Sequence, residues 1–360
     1  MRYNMDTSNT GGIYQMKSLV ECMQDKEQGI PVYMDVKKDF YPVEASTDSW
    51  FFVGSAKTET RDYSFLLHLM VMTGADKQKM MKMCYSVSDH ISGFYSATDT
   101  TVPLNGQDQA TIVEGDVLTV KAGDFWFRGT LEEMHVVGKN ENSAVDVIMR
   151  PYGKPIMNGG TGYYPIKVVK DNYHYSLPYS EMTGTITIED ETESITGNCW
   201  LDRQYNRFAM QRSEKGFVSP GAWVWLGIAL DDGTALSIWD FDDENGINRT
   251  FSSCLLPNGK RCVIEMPSIM PEARDVFISE QTGRCYPTTW IVKIPEFDID
   301  IRIPCFPRNQ EIVAAMPSLH KYEGASKVIG TVKGNPVEGH CMIELSGPWT
   351  RDFVESKGIL

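Results

Sequence analysis

Residues 184–205 read GTITIEDETESITGNCWLDRQY, and residues 221–246 read GAWVWLGIALDDGTALSIWDFDDENG. Each stretch predicts a β-hairpin. The first alternates polar and apolar residues over 185–189, turns through 190–193 and returns over 195–200. The second runs over 223–230, turns at Asp231-Asp232-Gly233 and returns over 235–241. Asp-Gly between two apolar runs is a strong hairpin signal, because glycine readily adopts the positive φ of a tight turn.

The segment between the hairpins, Trp200-Leu201-Asp202-Arg203-Gln204-Tyr205, places an acid, a guanidinium, an amide and a phenol beside an indole. Aromatic walls with a few polar groups are typical of a pocket for an apolar ligand. Trp223 and Trp225 share one face of their strand, since side chains two residues apart point the same way. Four tryptophans fall in this part of the chain: Trp200, Trp223, Trp225 and Trp239.

Short strands separated by turn residues fill most of the remaining chain and predict an all-β sandwich or barrel. The best helix candidate is residues 13–28, which Gly29-Ile30-Pro31 ends. The Gly-rich segment 158–165 (NGGTGYYP) is interpreted as a tight loop exposing Tyr163 and Tyr164, because it lacks the P-loop pattern.

No low-complexity linker marks a boundary, so two β-domains would meet within about 186–215. The predicted strands are 50–54, 63–72, 80–87, 117–121, 125–131, 134–137, 145–151, 251–256, 261–266, 286–294, 297–303, 328–333 and 340–346.

Composition excludes several classes of protein. A net charge of −14 over 360 residues disfavours nucleic acids and anionic membrane surfaces. No apolar run is long enough to cross a bilayer, and no secretory signal is visible. The eight cysteines form no CxxC pair and the six histidines show no metal-binding spacing, so we expect reduced thiols, a cytoplasmic protein and no metal.

Asp202 is the residue that we expect to act as the acid. A carboxyl group beside Trp200 and Tyr205 would be desolvated, and a pKa raised toward neutrality suits protonation of an alkene or an enone. An ion pair with Arg203 or Arg207 that only ties strands together is an equal alternative. A serine nucleophile has no motif here, whereas a glycosidase pair of carboxylates stays open.

Other candidate residues have structural alternatives of their own. Asp240 could line a cavity mouth or belong to a solvated acidic loop, and Asp48 could be an acid or cap a strand. His68 is interpreted as a core or pocket-wall residue in preference to a base. The tryptophans, Trp50 included, could fill barrel interiors or form a wall that stabilises a cation.

The segments GNCWLDRQYN and AWVWLGIALDDGTALSIWDFDD resemble the signature region of the carotenoid 1,2-hydratase / kievitone hydratase family, which includes lipocalin-like pericyclases of the Diels–Alderase type. In that family a W-x-D-[HR]-[QE]-[WY] segment precedes a WxW-x-LDDG hairpin. DSWFFVG at 48–54, the GYYP loop and the closing strands over 322–347 are similar too. Arg203 departs from the histidine common in relatives, and Asp48 stands where many have glutamate.

The resemblance implies two tandem lipocalin-like β-domains, residues 1–205 and 206–360, after a short N-terminal helix, with a ligand cavity near their interface. It implies a hydratase, lyase or cyclase that needs no cofactor and acts on a hydrophobic polyene, prenyl or polyketide-like molecule. A pericyclase relying on cavity shape and a non-catalytic lipid or terpenoid carrier are the alternatives. We expect a monomer or homodimer with no nucleic-acid partner. The expected catalytic residues are Asp202, Gln204, Tyr205 and Asp240; the expected substrate-binding residues are Asp48, Trp50, His68, Tyr164, Arg203, Trp223, Trp225 and Trp239.

Overall fold

A computed structural model describes residues 32–360 except 75, 107–108, 167–168, 208–211, 214–215, 218–221, 243–246 and 316. The predicted helix over 13–28 lies outside the described residues. Two short α-helices lie at the ends of this range, α1 (Val36–Asp39) and α2 (Arg351–Ser356). Among the described residues, no helix is long and apolar enough to cross a membrane.

The first sheet has 14 strands, all paired antiparallel within the described residues. Its main path runs β4-β3-β2-β1-β14-β13-β9-β8-β7-β6-β5, and β12 pairs with β14 beside β13. A short pair, β15 (Arg212–Ser213) and β16 (Gly216–Phe217), follows it. The strands of the first sheet are β1 Thr47–Lys57, β2 Asp62–Thr73, β3 Lys79–Asp89, β4 Tyr95–Pro103, β5 Gln109–Glu114, β6 Val117–Ala122, β7 Phe125–Gly129, β8 Met134–Lys139, β9 Ser143–Pro151, β10 Ile156–Met157, β11 Tyr163–Ile166, β12 Val169–Leu177, β13 Ser180–Ile188 and β14 Glu191–Asn206.

The second sheet has ten strands in the order β20-β19-β18-β17-β26-β25-β23-β22-β21, with β24 beside β25. Where the structure describes the chain, four 3-10 turns occur, at Asn158–Gly160, Met270–Glu272, Pro295–Phe297 and Pro317–Leu319. The strands are β17 Trp223–Leu230, β18 Ala235–Asp242, β19 Asn248–Leu255, β20 Arg261–Glu265, β21 Arg274–Ile278, β22 Cys285–Ile294, β23 Ile299–Pro304, β24 Glu311–Ile312, β25 Lys321–Val332 and β26 Asn335–Ser346.

Strand β14 is the element that links the two sheets. It spans 16 residues and pairs with β1 along eleven of them. Because side chains alternate along a strand, each of its faces is buried in a different core. One face points into the first sheet and carries Leu201, Arg203 and Tyr205. The other points to the second sheet and carries Trp200, Asp202 and Gln204.

Three apolar clusters follow from this alternation. One lies inside each sheet, and the third lies between them and draws on both. Burying a large apolar side chain stabilises a fold by about 1.5–3 kcal/mol. The third cluster therefore holds the two sheets together firmly. We call the space that it occupies the seam; it includes Phe51, Leu66, Cys84, Tyr164, Trp200, Trp225, Trp239, Phe241, Ala325 and Met342.

The all-β prediction is confirmed, and the second hairpin has its predicted turn, with Gly233 at φ 87°. Three local predictions were wrong. The strand predicted over 297–303 begins only at Ile299, after a 3-10 turn. In the first hairpin the returning strand already resumes at Glu191, inside the predicted turn. Tyr164 is buried and not exposed, because strand β11 turns its ring into the seam.

Candidate active site at the seam between the sheets

One row of side chains crosses the first sheet on the face that meets the second. Its members lie directly opposite one another on successive strands, so they point the same way. Neighbouring strands are about 4.8 Å apart, so the row extends over roughly 24 Å. The row consists of Ser176, Asp202, Phe51, His68, Cys84 and Asp99.

A second row crosses the facing sheet in the same manner. It consists of Phe251, Trp239, Trp225, Glu344 and Glu323. The rows meet through aromatic contacts: the ring of Phe51 lies 5.7 Å from that of Trp225. The seam therefore has an aromatic end, around Asp202 and Trp239, and a charged end, around Asp99 and Glu323.

A chain of hydrogen bonds occupies the aromatic end. The Oδ1 atom of Asp202 accepts a hydrogen bond from Trp200 Nε1 at 2.8 Å and lies 3.0 Å from His174 Nε2. The other ring nitrogen of His174, Nδ1, lies 2.9 Å from the hydroxyl of Tyr164. All four side chains are buried. Three groups able to carry a proton are thus joined in series.

The donor and acceptor roles in this chain depend on the tautomer of His174, and the neutral ring fits the contacts in the following way. Asp202 accepts from His174 Nε2–H, which leaves Nδ1 unprotonated and able to accept from Tyr164. Burial, and secondly the charge of Asp202, raises the pKa of Tyr164 well above its usual range, so the phenol keeps its proton. Both donors to Asp202 reach Oδ1, which leaves Oδ2 available for a further contact.

Aromatic rings surround this chain on the side of the second sheet. Trp239 lies 5.9 Å from His174 and 5.2 Å from Tyr164, and Trp225 lies 6.1 Å from Trp200. Trp225 Nε1 donates to Ser237 Oγ, whereas the buried Nε1 of Trp239 has no partner among the described residues. Buried donors without a partner are rare, which makes this N–H a candidate for contact with a ligand.

Ionisable groups dominate the other end. The ammonium group of Lys321 contacts Glu323 Oε1, and Lys82 lies 3.1 Å from Asp99. Glu344 accepts a hydrogen bond from Trp223 Nε1 at 2.7 Å. Burial raises the pKa of Glu323 to about 8, and the neighbouring Lys321 only partly offsets this.

His68 faces the same end from the first sheet. Burial, followed by the charges of Lys321 and Lys82, holds its pKa well below the usual range, so the ring is neutral. Its ring lies 5.0 Å from that of Phe51, and its Nε2 atom has no partner among the described residues.

Two clefts open at the edges of the seam. One, of about 560 Å³, lies at the charged end between Tyr95 and Asp99 on β4 and Ile312 on β24. The other, of about 340 Å³, is lined by Tyr179, Asn198 and other residues of both sheets. Asp202 lines neither, although Asn198 lies on its face of β14.

The seam brings together most of the expected site residues. Gln204 lies beside Asp202 on β14, where its Nε2 donates to Asn172 Oδ1 at 2.7 Å. Trp223 is half-buried at the seam edge. The residues of the predicted site that lie in the seam are Asp202, Gln204, Tyr164, His68, Trp223, Trp225 and Trp239.

Four expected site residues lie inside the first sheet instead. Asp48 and Arg203 form a buried ion pair at 2.6 Å, and the guanidinium stacks on Trp50 at 4.3 Å. Burial raises the pKa of Asp48, and Arg203 opposes this. Tyr205 packs in the same core. These residues point away from Asp202, because odd and even positions of β14 face opposite sides.

Asp240 lies inside the second sheet. It is fully buried and accepts hydrogen bonds from Asn248 Nδ2, Ser268 Oγ and the Ile269 amide. The structure therefore places it neither at a cavity mouth nor in a solvated loop. Its position is that of an anchor for the segment that precedes the 3-10 turn at Met270.

The sequence interpretation missed His174 and Glu323. His174 lies in the sequence DNYHYSL, whose alternation was available as a strand signal. The partner of that strand could not be known, because pairing of β12 with β14 is non-local. Glu323 was hidden in a closing segment that carries no catalytic motif.

The comparisons with known proteins agree with this fold. The AttH-like family model matches residues 34–348. The chain belongs to the AttH-like family. This AttH-like chain has the fold of kievitone hydratase from Nectria haematococca, with a TM-score of 0.72 at 20% identity, covering 90% of this chain and 95% of that one. A Nitrosomonas europaea protein assigned as AttH gives 0.72 at 21% identity, with 88% and 99% covered. The resemblance predicted from the sequence is thereby confirmed.

A curated relative of this AttH-like chain is the dehydratase asqC of Emericella nidulans, 26% identical over 222 residues. The match covers 59% of this chain and 60% of the relative's length. In the described part of the AttH-like chain, no group of three or more His, Cys, Asp or Glu side chains is placed to hold a metal ion.

Proposed function

We propose that this protein is a lyase that adds water to, or removes it from, an unsaturated apolar small molecule held in the seam. The single observation that carries the proposal is the buried chain Tyr164–His174–Asp202 among tryptophan rings. Two relatives are named as a hydratase and a dehydratase, which are the two directions of this one reaction, and this supports the proposal.

The hydrogen-bond chain supplies a complete proton circuit. In the direction of hydration, Asp202 starts as the neutral acid, with its proton on Oδ2 while Oδ1 accepts from Trp200 and His174. It donates that proton to one alkene carbon, and the π electrons form the new C–H bond. The other carbon becomes cationic and takes a lone pair from water. That water passes a proton through the Tyr164 hydroxyl to His174 Nδ1, and His174 passes the proton on Nε2 to Asp202 Oδ1. The product is the alcohol, and the protein carries the same number of protons as before; proton exchange with solvent after product release returns His174 to its first tautomer and the carboxyl proton to Oδ2.

Dehydration runs the same circuit backward. The leaving hydroxyl takes a proton, the C–O bond breaks, and Asp202 removes a proton from the adjacent carbon. General acid–base groups of this kind contribute roughly 10²–10⁴ in rate. Because side chains and water suffice, the proposed reaction uses no organic cofactor and no metal.

The surrounding rings have two roles in the proposal. The faces of Trp200, Trp225 and Trp239 stabilise a carbocation by cation–π interaction, worth about 2 kcal/mol or more when desolvated. The unpartnered Nε1–H of Trp239 donates to the oxygen of the water that attacks or of the hydroxyl that leaves. Exclusion of bulk water from the seam prevents capture of the cation by the wrong partner.

A panel of prenylated phenols and their tertiary alcohols, incubated with the protein in D₂O or H₂¹⁸O, tests the proposal. Hydration of a prenyl group should give an alcohol with one carbon-bound deuterium from D₂O or one ¹⁸O from H₂¹⁸O, whereas dehydration of a tertiary alcohol should give an alkene lighter by one water; mass spectrometry detects both. A product of unchanged mass without isotope would favour the pericyclase alternative. Panel members that bind and quench tryptophan fluorescence but are recovered unchanged would favour the carrier alternative.

A further inference from the structure

The charged end of the seam contains three buried polar atoms that have no hydrogen-bond partner among the described residues. They are Glu323 Oε1 and Oε2 on β25 and His68 Nε2 on β2; of these, Glu323 Oε1 contacts the ammonium group of Lys321. Strands β2 and β25 pack against one another here. The Glu323 side chain is fully buried, so water is a poor substitute for a partner.

The acids at this end are placed by register and by hydrogen bonds. Glu323 lies directly opposite Glu344 on the neighbouring strand, and Trp223 Nε1 fixes Glu344 from β17. Lys321, two residues along β25, binds Glu323 on Oε1, which leaves Oε2 open. The arrangement is built from three strands and does not depend on a loop.

The balance of charge decides which chemical group fits. Lys321 and Lys82 carry two positive charges, and Asp99 and Glu344 two negative ones. Glu323 keeps a proton near neutral pH, because burial and the Glu344 carboxylate oppose its ionisation. The neighbouring Cys84 thiol is also neutral, since burial raises its pKa to about 12. An anion or a cation would upset this balance, whereas an uncharged hydroxyl would both donate and accept.

The distance from Asp202 defines the ligand further. Asp202 and His68 belong to the same row and are separated by the single intervening strand β1. Two strand spacings amount to about 10 Å. Phe51 lies between them in the row, and its ring packs on that of Trp225, so the middle of a ligand that spans the row would contact aromatic side chains. The 560 Å³ cleft opens beside Asp99, at the end of this row, and is not lined by Glu323, Glu344 or Lys321.

We propose that Glu323, Glu344 and Lys321 form a subsite that binds a phenolic or enolic hydroxyl at one end of an apolar ligand whose other end lies at Asp202. The inference deepens the proposed function by naming the group that positions the substrate. The subsite rests on the proposed function only for the reaction at the Asp202 end of the ligand. A binding measurement can therefore test the subsite without any turnover.

The experiment compares 4-phenylphenol with biphenyl, which differ only in the hydroxyl, by quenching of tryptophan fluorescence in the full chain. We expect the wild type to bind the phenol about tenfold more tightly, the effect of hydrogen bonds worth roughly 1.4 kcal/mol. Glu323→Gln and Lys321→Met should each abolish most of this preference while biphenyl binding stays within twofold. Glu338→Gln, an exposed carboxyl on β26, is the matched control.

Two further variants keep the test decisive. Trp223→Phe retains the ring but frees Glu344, and should weaken the preference even if the other variants fold poorly. Asp202→Asn should keep the full preference, whether or not the protein proves to be a lyase. Equal affinity of the wild type for both probes, or a preference that survives in Trp223→Phe and in folded Glu323→Gln, would overturn the subsite.

Discussion

His174 Nε2 lies 3.0 Å from Asp202 Oδ1, and this contact joins β12 to β14 at the seam. With Tyr164 on the other ring nitrogen, the three side chains act as one unit in the proposed reaction. Effects of residues that act as a unit are strongly non-additive. The rate losses of variants at these three positions should therefore not multiply when the variants are combined.

Tyr164→Phe and His174→Gln should each lower kcat by roughly 10²–10³, because each interrupts the return of the proton to Asp202. The double variant should be little worse than His174→Gln alone. Single-turnover rates on an identified panel substrate measure this, and Tyr163→Phe, on the neighbouring half-buried tyrosine, is the control. If the rate losses of the single variants multiply fully in the double variant, Tyr164 and His174 act independently and not in one proton-transfer chain.

Arg203→Met should lower the free energy of unfolding by about 3–5 kcal/mol, because it leaves the buried Asp48 carboxylate without its partner. Asp48→Asn combined with Arg203→Met should recover a substantial part of the loss. Urea unfolding measures both effects. The turnover of the folded fraction should stay near the wild-type value. Loss of turnover without loss of stability would indicate that Arg203 and Asp48 contact the substrate.

Gly227→Ala should lower turnover without touching the proton circuit. A Cβ atom at this position would lie 2.6 Å from the indole ring of Trp225, so the ring must move. Because Trp225 lies between Phe51 and Trp200, the wall of the seam changes shape. We expect a rise in KM together with a lower kcat. Unchanged kinetic constants would show that the position of Trp225 is unimportant to the substrate.

Glu323→Gln should change how stability depends on pH. The pKa of Glu323 is raised in the folded protein to about 8, so its favourable contribution is complete below the pKa of the unfolded chain, 4.5, and is lost as pH rises toward 8. The wild type should therefore lose stability relative to the variant between pH 5 and pH 8. The expected relative change is on the order of 1 kcal/mol or more, or about 2–4 °C in Tm. If the difference in Tm between the wild type and Glu323→Gln stays constant between pH 5 and pH 8, Glu323 does not change its protonation on unfolding in this range.

The parts of the fold that depend on local sequence could be predicted. The hairpin from Trp223 to Phe241 follows from Asp-Gly between alternating runs, and the face shared by Trp223 and Trp225 follows from strand geometry. The resemblance to a known family supplied the all-β fold, which the structure shows as two large sheets. None of this needed knowledge of which strands pair.

The site itself could be predicted only in part. Asp202 and Tyr205 were grouped as neighbours in sequence, although three residues along a strand place side chains on opposite faces. Tyr205 and Arg203 thus belong to the first core. His174 and Glu323 reach the seam through pairings between distant segments, and no local pattern identifies such partners.

The most direct test of the central claim is the rate of carbon-bound deuterium incorporation from D₂O by Asp202→Asn, compared with Asp300→Asn, an exposed aspartate on β23. The proposal predicts that Asp300→Asn matches the wild type. It predicts that Asp202→Asn, with the same Tm, incorporates deuterium at least about 10² more slowly, because an amide cannot donate the proton. Incorporation by Asp202→Asn at the wild-type rate would contradict the assignment of Asp202 as the acid.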